Sequence, residues 1–346
     1  MRLAAVVLAL GLATAAPADE PKSFALVSPE LAASLRSLPA SPERAAALRA
    51  ADRVVARVPK AMPRVHVEGS LPGQGIHDES QEALRDLPAM RDLALAARLT
   101  GEVRYADAAR HLLRAWIETY RPSFNPIDET GFERLFIAWD LLERRDGLDA
   151  GYARMLQAFC EGYLAHPLRG NTAINNWNSH RVKLIVLSAF ALGDTALIAR
   201  ARESYDAQLR ANIKPDGSTV DFLQRDAIHY VVYDLEPLVM AVLAARRHGQ
   251  DWLGDEDGAL LRAVAWLEPY ATGAKTHEEF AKTTVPFDRT RRDAGVPGFE
   301  GMFQPAKARP AMALAARLDP RFAATARALR TEAWQDPWLE LLFPLR

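Results

Sequence analysis

An all-α protein built from stacked helical hairpins is expected from this sequence on three grounds. Apolar residues recur at helical spacing along nearly the whole chain, no long alternating run competes as a strand, and glycines punctuate the ends of the periodic segments. The chain has 346 residues, 49% apolar and 25% charged, so it can bury a large core, and disorder, collagen and coiled coil are excluded.

The first element lies outside the fold. Residues 1–18 present Arg2, an apolar run from Leu3 to Leu12, and the small-residue sites Ala13-Thr14-Ala15 and Ala16-Pro17-Ala18, the pattern of a secretory signal. The apolar run is shorter than the roughly 20 residues a spanning helix needs, and no cysteine follows it, so a periplasmic protein without a membrane anchor is expected. Residues 24–346 then read as a single domain. Ser28-Pro29-Glu30 and Ser41-Pro42-Glu43-Arg44 are helix starts, with serine as cap and proline in the first turn.

Periodic runs follow from Ala45 to Val58, Ala83 to Leu99, Tyr105 to Tyr120, Phe132 to Leu142, Tyr152 to Leu164, Val182 to Leu192, Tyr230 to Ala245 and Leu260 to Leu267. Gly101, Gly193 and Gly249 stop three of them before short polar links, the pattern of antiparallel helix pairs. Such pairs can stack as a solenoid or close into an α/α toroid. Three stretches, Met62 to Glu79, Arg121 to Gly131 and Thr272 to Gln304, are too long and polar for plain connectors, which marks them as candidate functional loops.

Charge and cysteine content narrow the function. Lys plus Arg number 43 against 44 Asp plus Glu, a net charge of -1, so there is no global field for nucleic acid. The single Cys160 excludes an internal disulfide and reads as a small buried hydrophobe.

The densest polar cluster is Asn175-Asn176-Trp177-Asn178-Ser179-His180-Arg181, running into the apolar segment from Val182. On a helix Asn176 and His180 share one face, and Asn175 aligns with Ser179. Capping explains one asparagine; it does not explain three with a Trp and a His. A second cluster spans Asp221 to Tyr233. Read as one continuous helix, it puts Arg225, His229 and either Val232 or Tyr233 on one stripe, and Asp226, Tyr230 and Tyr233 on the next. A third group, His277, Glu278, Lys282, Asp288, Arg289, Arg291, Arg292 and Asp293, lies in the late loop, where its cations suit an acidic ligand.

Amide, imidazole, guanidinium and phenol groups suit β-elimination on a uronic-acid polymer. The C5 proton becomes removable only if the adjacent carboxylate is neutralised, which Asn, Gln or Arg donors achieve by stabilising the enolate. A His or Tyr then takes the C5 proton, and an acid protonates the departing O4.

The pair of motifs Asn175-Asn176-Trp177-Asn178-Ser179-His180 and Arg225-Asp226-Ala227-Ile228-His229-Tyr230 resembles the alginate lyase superfamily of α/α toroid polysaccharide lyases. Glu68-Gly69-Ser70-Leu71-Pro72, Gln74-Gly75 and Asn125-Pro126-Ile127 make it most similar to polysaccharide lyase family 38. The resemblance implies an incomplete toroid of about six to seven helical hairpins and metal-free, cofactor-free cleavage of an anionic uronic-acid chain such as polymannuronate or glucuronan. It also implies a centre of Asn176 as carboxylate neutraliser with His180, Tyr230 and Arg225. Asn175, Trp177, Gln74, His229, Tyr233, His277, Arg289 and Arg292 are the candidate substrate contacts around it. In the family pattern the histidine directly follows the paired asparagines and the arginine stands further from the tyrosine. Here both spacings differ, so either His180 or Tyr230 can be the base.

Two other readings fit the residue types. A toroidal glycoside hydrolase would need two carboxylates about 5–10 Å apart, with Asp128, Glu129, Asp221 and Asp226 as candidates. A non-catalytic polysaccharide-binding protein would use Trp177, Tyr233 and the arginines as a surface. A zinc site from His180, His229 and His277 lacks any short-spaced ligand pair. Nothing in the sequence speaks to an oligomeric state.

Overall fold

The computed structural model describes residues 23–330 and 336–345, so the expected signal segment lies outside the described residues. Helix α1 (Pro29–Ser34) starts where Ser28 accepts the Leu31 N–H at 3.3 Å, and α2 (Pro42–Val54) where Ser41 accepts the Arg44 N–H at 3.1 Å. Both caps follow the sequence signals. After the first long loop come α3 (His77–Leu84), α4 (Asp86–Thr100) and α5 (Val103–Thr119), the turn between the last two being made by Gly101 at φ 75°.

The second long loop holds the short α6 (Pro126–Glu129), which leads into α7 (Glu133–Leu141) and α8 (Asp149–Ala165). Next are α9 (Asn176–Leu192) and α10 (Thr195–Asn212), joined through Gly193 at φ 68°. The chain continues with α11 (Val220–Arg225), α12 (Ile228–Arg247), α13 (Asp255–Ala271) and, inside the third loop, α14 (Pro286–Asp293). It ends with α15 (Arg309–Leu318), α16 (Ala323–Ala328) and α17 (Pro337–Leu342). Two isolated bridges, Ile213 with Thr219 and Glu278 with Met302, are the only β pairing among the described residues.

The first member of each hairpin packs on the next: α4 on α7, α7 on α9, α9 on α12, α12 on α15. Their partners α5, α8, α10 and α13 form the outer layer, so the hairpins curve into an incomplete α/α toroid. Arg317 of α15 pairs with Glu340 of α17 at 2.9 Å, α17 packs on α2 and α2 on α4, which bridges the open side. Helix α9 is buried on nearly all faces between α8, α10 and α12, so it is apolar all round instead of striped.

Because the inner helices run parallel, their N-terminal ends gather at one end of the toroid and their C-terminal ends at the other. At the latter end residues 23–27 lie across three of them. The Asp140 carboxylate of α7 accepts the backbone N–H groups of Ala25, Leu26 and Val27 at 3.1, 2.8 and 3.0 Å. Ser23 donates to the Ala191 carbonyl of α9 at 2.6 Å, and His248, just past α12, bonds the Phe24 carbonyl at 2.9 Å. The His248 ring is sandwiched between Phe24 and Phe190, with centroids 3.9 and 4.2 Å away. Burial holds the Asp140 pKa up at about 6 despite these three backbone donors.

Candidate active site

The opposite end, where the inner helices begin, collects the sequence clusters. Asn175 performs the capping: its side chain accepts the Trp177 N–H at 3.1 Å, while its carbonyl takes Gln208 at 3.0 Å. Asn178 donates to Gln208 at 2.8 Å and Ser179 to Asp234 at 2.6 Å, so both anchor α9 to its neighbours. Trp177 stays half-buried. Asn176 is buried, and its backbone N–H meets Asp221 at 2.6 Å while its side-chain amide donates to the other Asp221 oxygen. Burial raises the Asp221 pKa to about 6, against the pull of Asn176 and Arg225.

His180 lies one helical turn on, as the spacing predicts. Its Nδ1 shares a hydrogen bond of 2.6 Å with the Thr130 hydroxyl, and its ring centroid is 4.2 Å from that of Tyr233. Nε2 is buried without a hydrogen-bond partner. Burial, with Lys183 adding to it, pushes the imidazole pKa well below its usual value, so the ring is neutral at pH 7. Lys183 in turn donates to Thr130 Oγ1 at 2.8 Å and to Glu133 at 2.7 Å. Nothing local in the sequence marks Thr130, Lys183 or Glu133.

The second motif is not the continuous helix expected. Asp226 breaks it in a left-handed conformation, φ 51°, so Arg225 ends α11 while His229, Tyr230 and Tyr233 belong to α12. Tertiary bonds hold the break: the Asp226 carboxylate accepts the Lys282 N–H at 2.8 Å, and its carbonyl accepts from His277 Nε2 at 2.9 Å and Phe280 N–H at 2.8 Å. The shared stripe is therefore replaced by a closer contact. The Arg225 guanidinium stacks over the Tyr230 ring, 4.0 Å from its centroid, and bonds Asp288, with Asp221 at 3.6 Å.

Tyr230 is held at both its ring and its hydroxyl. Arg291 Nη1 donates to its hydroxyl at 3.1 Å, Phe280 stands edge-on at 5.9 Å, and the residue is only 7% exposed. Burial raises its pKa, and Arg225 and Arg291 pull it back. His229 is driven down to about 4 by burial and by Lys307, Arg225 and Arg291, and is also neutral at pH 7. Glu279 caps α12 by accepting the Ile228 N–H at 3.1 Å.

Other candidate contacts are placed differently. His277 pins the Asp226 break, as above. Arg289 is exposed and donates to the Thr283 carbonyl at 3.0 Å, and Arg292 faces Asp293 at 3.5 Å on the rim, so of the loop arginines it is Arg291 that reaches the tyrosine. Gln74 sits exposed at a loop tip, accepting the Leu71 N–H at 2.9 Å. That loop is drawn toward the centre at its base, where Asp128 accepts the Val67 and Glu68 N–H groups at 2.8 Å and bonds His66 at 2.9 Å. Burial and Asp128 raise the Glu68 pKa, while Arg291 and Arg225 lower it, which marks Glu68 as a carboxylate beside the two guanidiniums.

The four carboxylates of the hydrolase reading are all engaged internally. Asp128 holds the loop, Glu129 accepts from Tyr120 at 2.5 Å and from Tyr163, Asp221 holds Asn176, and Asp226 holds the helix break. Among the described residues no group of three His, Cys, Asp or Glu side chains is arranged to hold a metal ion.

The fold has known counterparts. An alginate lyase from Bacteroides ovatus superposes with a TM-score of 0.67 at 18% identity, over 93% of this chain and 99% of that one. Alginate lyase A1-III from Sphingomonas species A1 superposes with a TM-score of 0.55 at 18% identity, over 74% and 79%, and a variant of A1-III complexed with tetrasaccharide with 0.54 at 16%, over 84% and 94%. At these identities the likeness is one of fold. A comparison with curated proteins finds no match. The sequence pattern of the alginate lyase family does match, across residues 31–277, and on that extent of agreement the chain belongs to the alginate lyase family, the polysaccharide lyases.

Proposed function

We propose that this lyase cleaves a uronic-acid polymer of the polymannuronate or glucuronan kind by metal-free β-elimination, leaving a 4,5-unsaturated uronate end. The observation that carries the reading is the Tyr230 phenol, capped by Arg291 and overlaid by Arg225, on the same inner-helix ends as the neutral His180 and the buried Asn176. In this reading Tyr230 as phenolate takes the C5 proton, the C4–O4 bond breaks as C4=C5 forms, and the same hydroxyl returns the proton to O4.

Asn176 and His180 stabilise the enolate. One N–H of the Asn176 amide is committed to Asp221, leaving the other for the substrate carboxylate. With the Thr130 hydroxyl proton assigned to His180 Nδ1, the ring carries its own hydrogen on Nε2, which is then a donor. A neutral donor stabilises developing charge without carrying a proton that could quench the base. Trp177 and Tyr233 offer rings for sugar faces. A periplasmic location is part of this reading, supported by the signal-like pattern of residues 1–18.

An ultraviolet assay tests the reading, because the conjugated C4=C5 bond absorbs and hydrolysis products do not. On polymannuronate, polyguluronate, glucuronan and hyaluronan, at least one polymer should give the chromophore. Reducing ends without it would indicate a hydrolase, and neither product a binding protein.

A further inference from the structure

The geometry points to Arg291, not Arg225, as the cation that makes Tyr230 a base, with α14 serving as the strap that delivers it. This rests on the elimination reading and goes beyond it by reassigning the charge.

Arg225 is the sequence neighbour of the tyrosine, and it does lie over the ring. Its charge, however, is already balanced. Asp288 is buried and bonded to it, and the buried Asp221 stands 3.6 Å from its Nε. A cation over a ring face also acts on the π system, away from the oxygen that ionises. Arg291 differs on both counts. It donates directly to Tyr230 Oη at 3.1 Å, and no carboxylate among the described residues forms an ion pair with it. It is steadied by aromatic faces instead, its guanidinium lying 4.4 Å from the Phe287 ring centroid and 5.1 Å from that of Phe299. A hydrogen bond from an unneutralised guanidinium strengthens when the phenol loses its proton, which is the condition for lowering a pKa.

Burial raises the Tyr230 pKa most; Arg225 of α11 opposes it first and Arg291 of α14 next, while Asp288 and Asp221, the two aspartates beside Arg225, raise it. The two aspartates offset the guanidinium they bind, whereas Arg291 has no bound carboxylate and meets Asp288 and Glu68 only beyond ion-pair distance. Glu68 faces both arginines from the first loop, and Tyr233 and His229 flank the ring on α12 itself. The Arg225–Asp288 pair then has a different duty: it docks α14. Thr283 bonds the second Asp288 oxygen at 2.9 Å, and the Thr284 N–H reaches the Gln224 carbonyl at 2.8 Å. Asp288 and Arg291 are three residues apart on one helical face, so fixing the first aims the second.

The test compares wild type, Arg291→Gln and Arg291→Lys. The first readout needs no substrate: ultraviolet difference titration of phenolate, with Tyr230→Phe as the blank that identifies the Tyr230 signal among the 8 tyrosines. Tyr230 should ionise about 1 to 2 pH units higher in Arg291→Gln, the range expected from losing a charge-assisted hydrogen bond, and Arg291→Lys should recover part of the shift. The second readout is the pH dependence of kcat on a uronate polymer. The rising limb should move to higher pH by the same amount, with kcat down about 10- to 100-fold near neutrality and KM changed much less.

An unchanged Tyr230 titration in Arg291→Gln overturns the proposal, as does a raised KM with an unmoved pH limb, which would make Arg291 a substrate contact only. If wild type produces no unsaturated product on any polymer, the elimination reading fails, while the titration still decides whether Arg291 governs Tyr230. Thermal melts confirm that both variants are folded.

Discussion

Replacing Tyr230 by Phe removes one oxygen and little else. The ring keeps Arg225 at 4.0 Å over its face and Phe280 edge-on at 5.9 Å. What is lost is a single hydrogen bond, from Arg291 at 3.1 Å. Bonds to charged groups contribute about 1.5–3 kcal/mol when buried, but Arg291 is half-buried and regains water, so a stability loss of about 1 kcal/mol is expected. That corresponds to a melting shift of only a few degrees. The catalytic loss is of another size. General acid or base groups contribute roughly 10²- to 10⁴-fold, about 3–5 kcal/mol of barrier, and a residue making both proton transfers contributes more. Turnover measured by the unsaturated chromophore should therefore collapse, kcat and kcat/KM falling together, while calorimetric affinity for the polymer is retained. Tyr233→Phe should lose far less, since that ring packs 4.2 Å from His180 and edge-on to Tyr230 at 6.2 Å. A near-normal Tyr230→Phe beside a dead Tyr233→Phe would transfer the role to Tyr233; two active variants would end tyrosine-based elimination.

Exhaustive chelation should leave the rate unchanged, because the proposed centre stabilises the enolate with side-chain donors; activity lost to chelator and restored by zinc or calcium would refute this. A carboxyl-reduced polymer should neither bind nor react, and affinity for the native polymer should fall with added salt, so equal binding of the reduced form would count against a uronate site. Asp140 gives a pH-dependent stability. Its folded pKa of about 6 lies above the ordinary carboxylate value of about 3.9, so the folded state holds the proton more tightly. Its contribution therefore falls as pH rises from about 4 through 6 and then levels off, a change of about 3 kcal/mol. Asp140→Asn should lack this slope, and urea melts at about pH 4 and pH 7 giving the same wild-type-minus-variant difference would contradict it.

Much of the scaffold was readable because helical periodicity reports burial on one face. Ser28 and Ser41 as caps and Gly101 and Gly193 as stops stand where the sequence placed them. Helix α10 was not singled out, because its buried positions Leu197, Ile198, Ala201, Tyr205 and Leu209 are diluted by charged residues on the outer face. Helix α9 starts six residues before the expected Val182, since a helix buried all round shows no stripe to mark its first turns. The break at Asp226 had no local signal. It depends on His277, Phe280 and Lys282, more than fifty residues downstream. In the site, the asparagine cluster, His180 and Tyr230 were visible as dense polar types at helix starts. Which loop arginine meets Tyr230 was not, because the phase of α14 is set by the Arg225–Asp288 pair across 63 residues. Thr130 was invisible for the same reason, being joined to His180 over 50 residues.

Residues 23–27, a second strap at the other end of the toroid, also set an order of events in folding. This strap contacts Asp140, Ala191 and His248, which lie 113 to 224 residues later in the chain, so ribosomes deliver the strap long before its seat. Closing loops that long costs entropy that only a largely assembled ring can offset, which makes the strap a late arrival despite its early synthesis. Contacts absent from the transition state govern how fast a protein comes apart more than how fast it forms. The strap therefore acts as a kinetic lock: cutting Ser23–Val27 away should leave the refolding rate nearly untouched and multiply the unfolding rate.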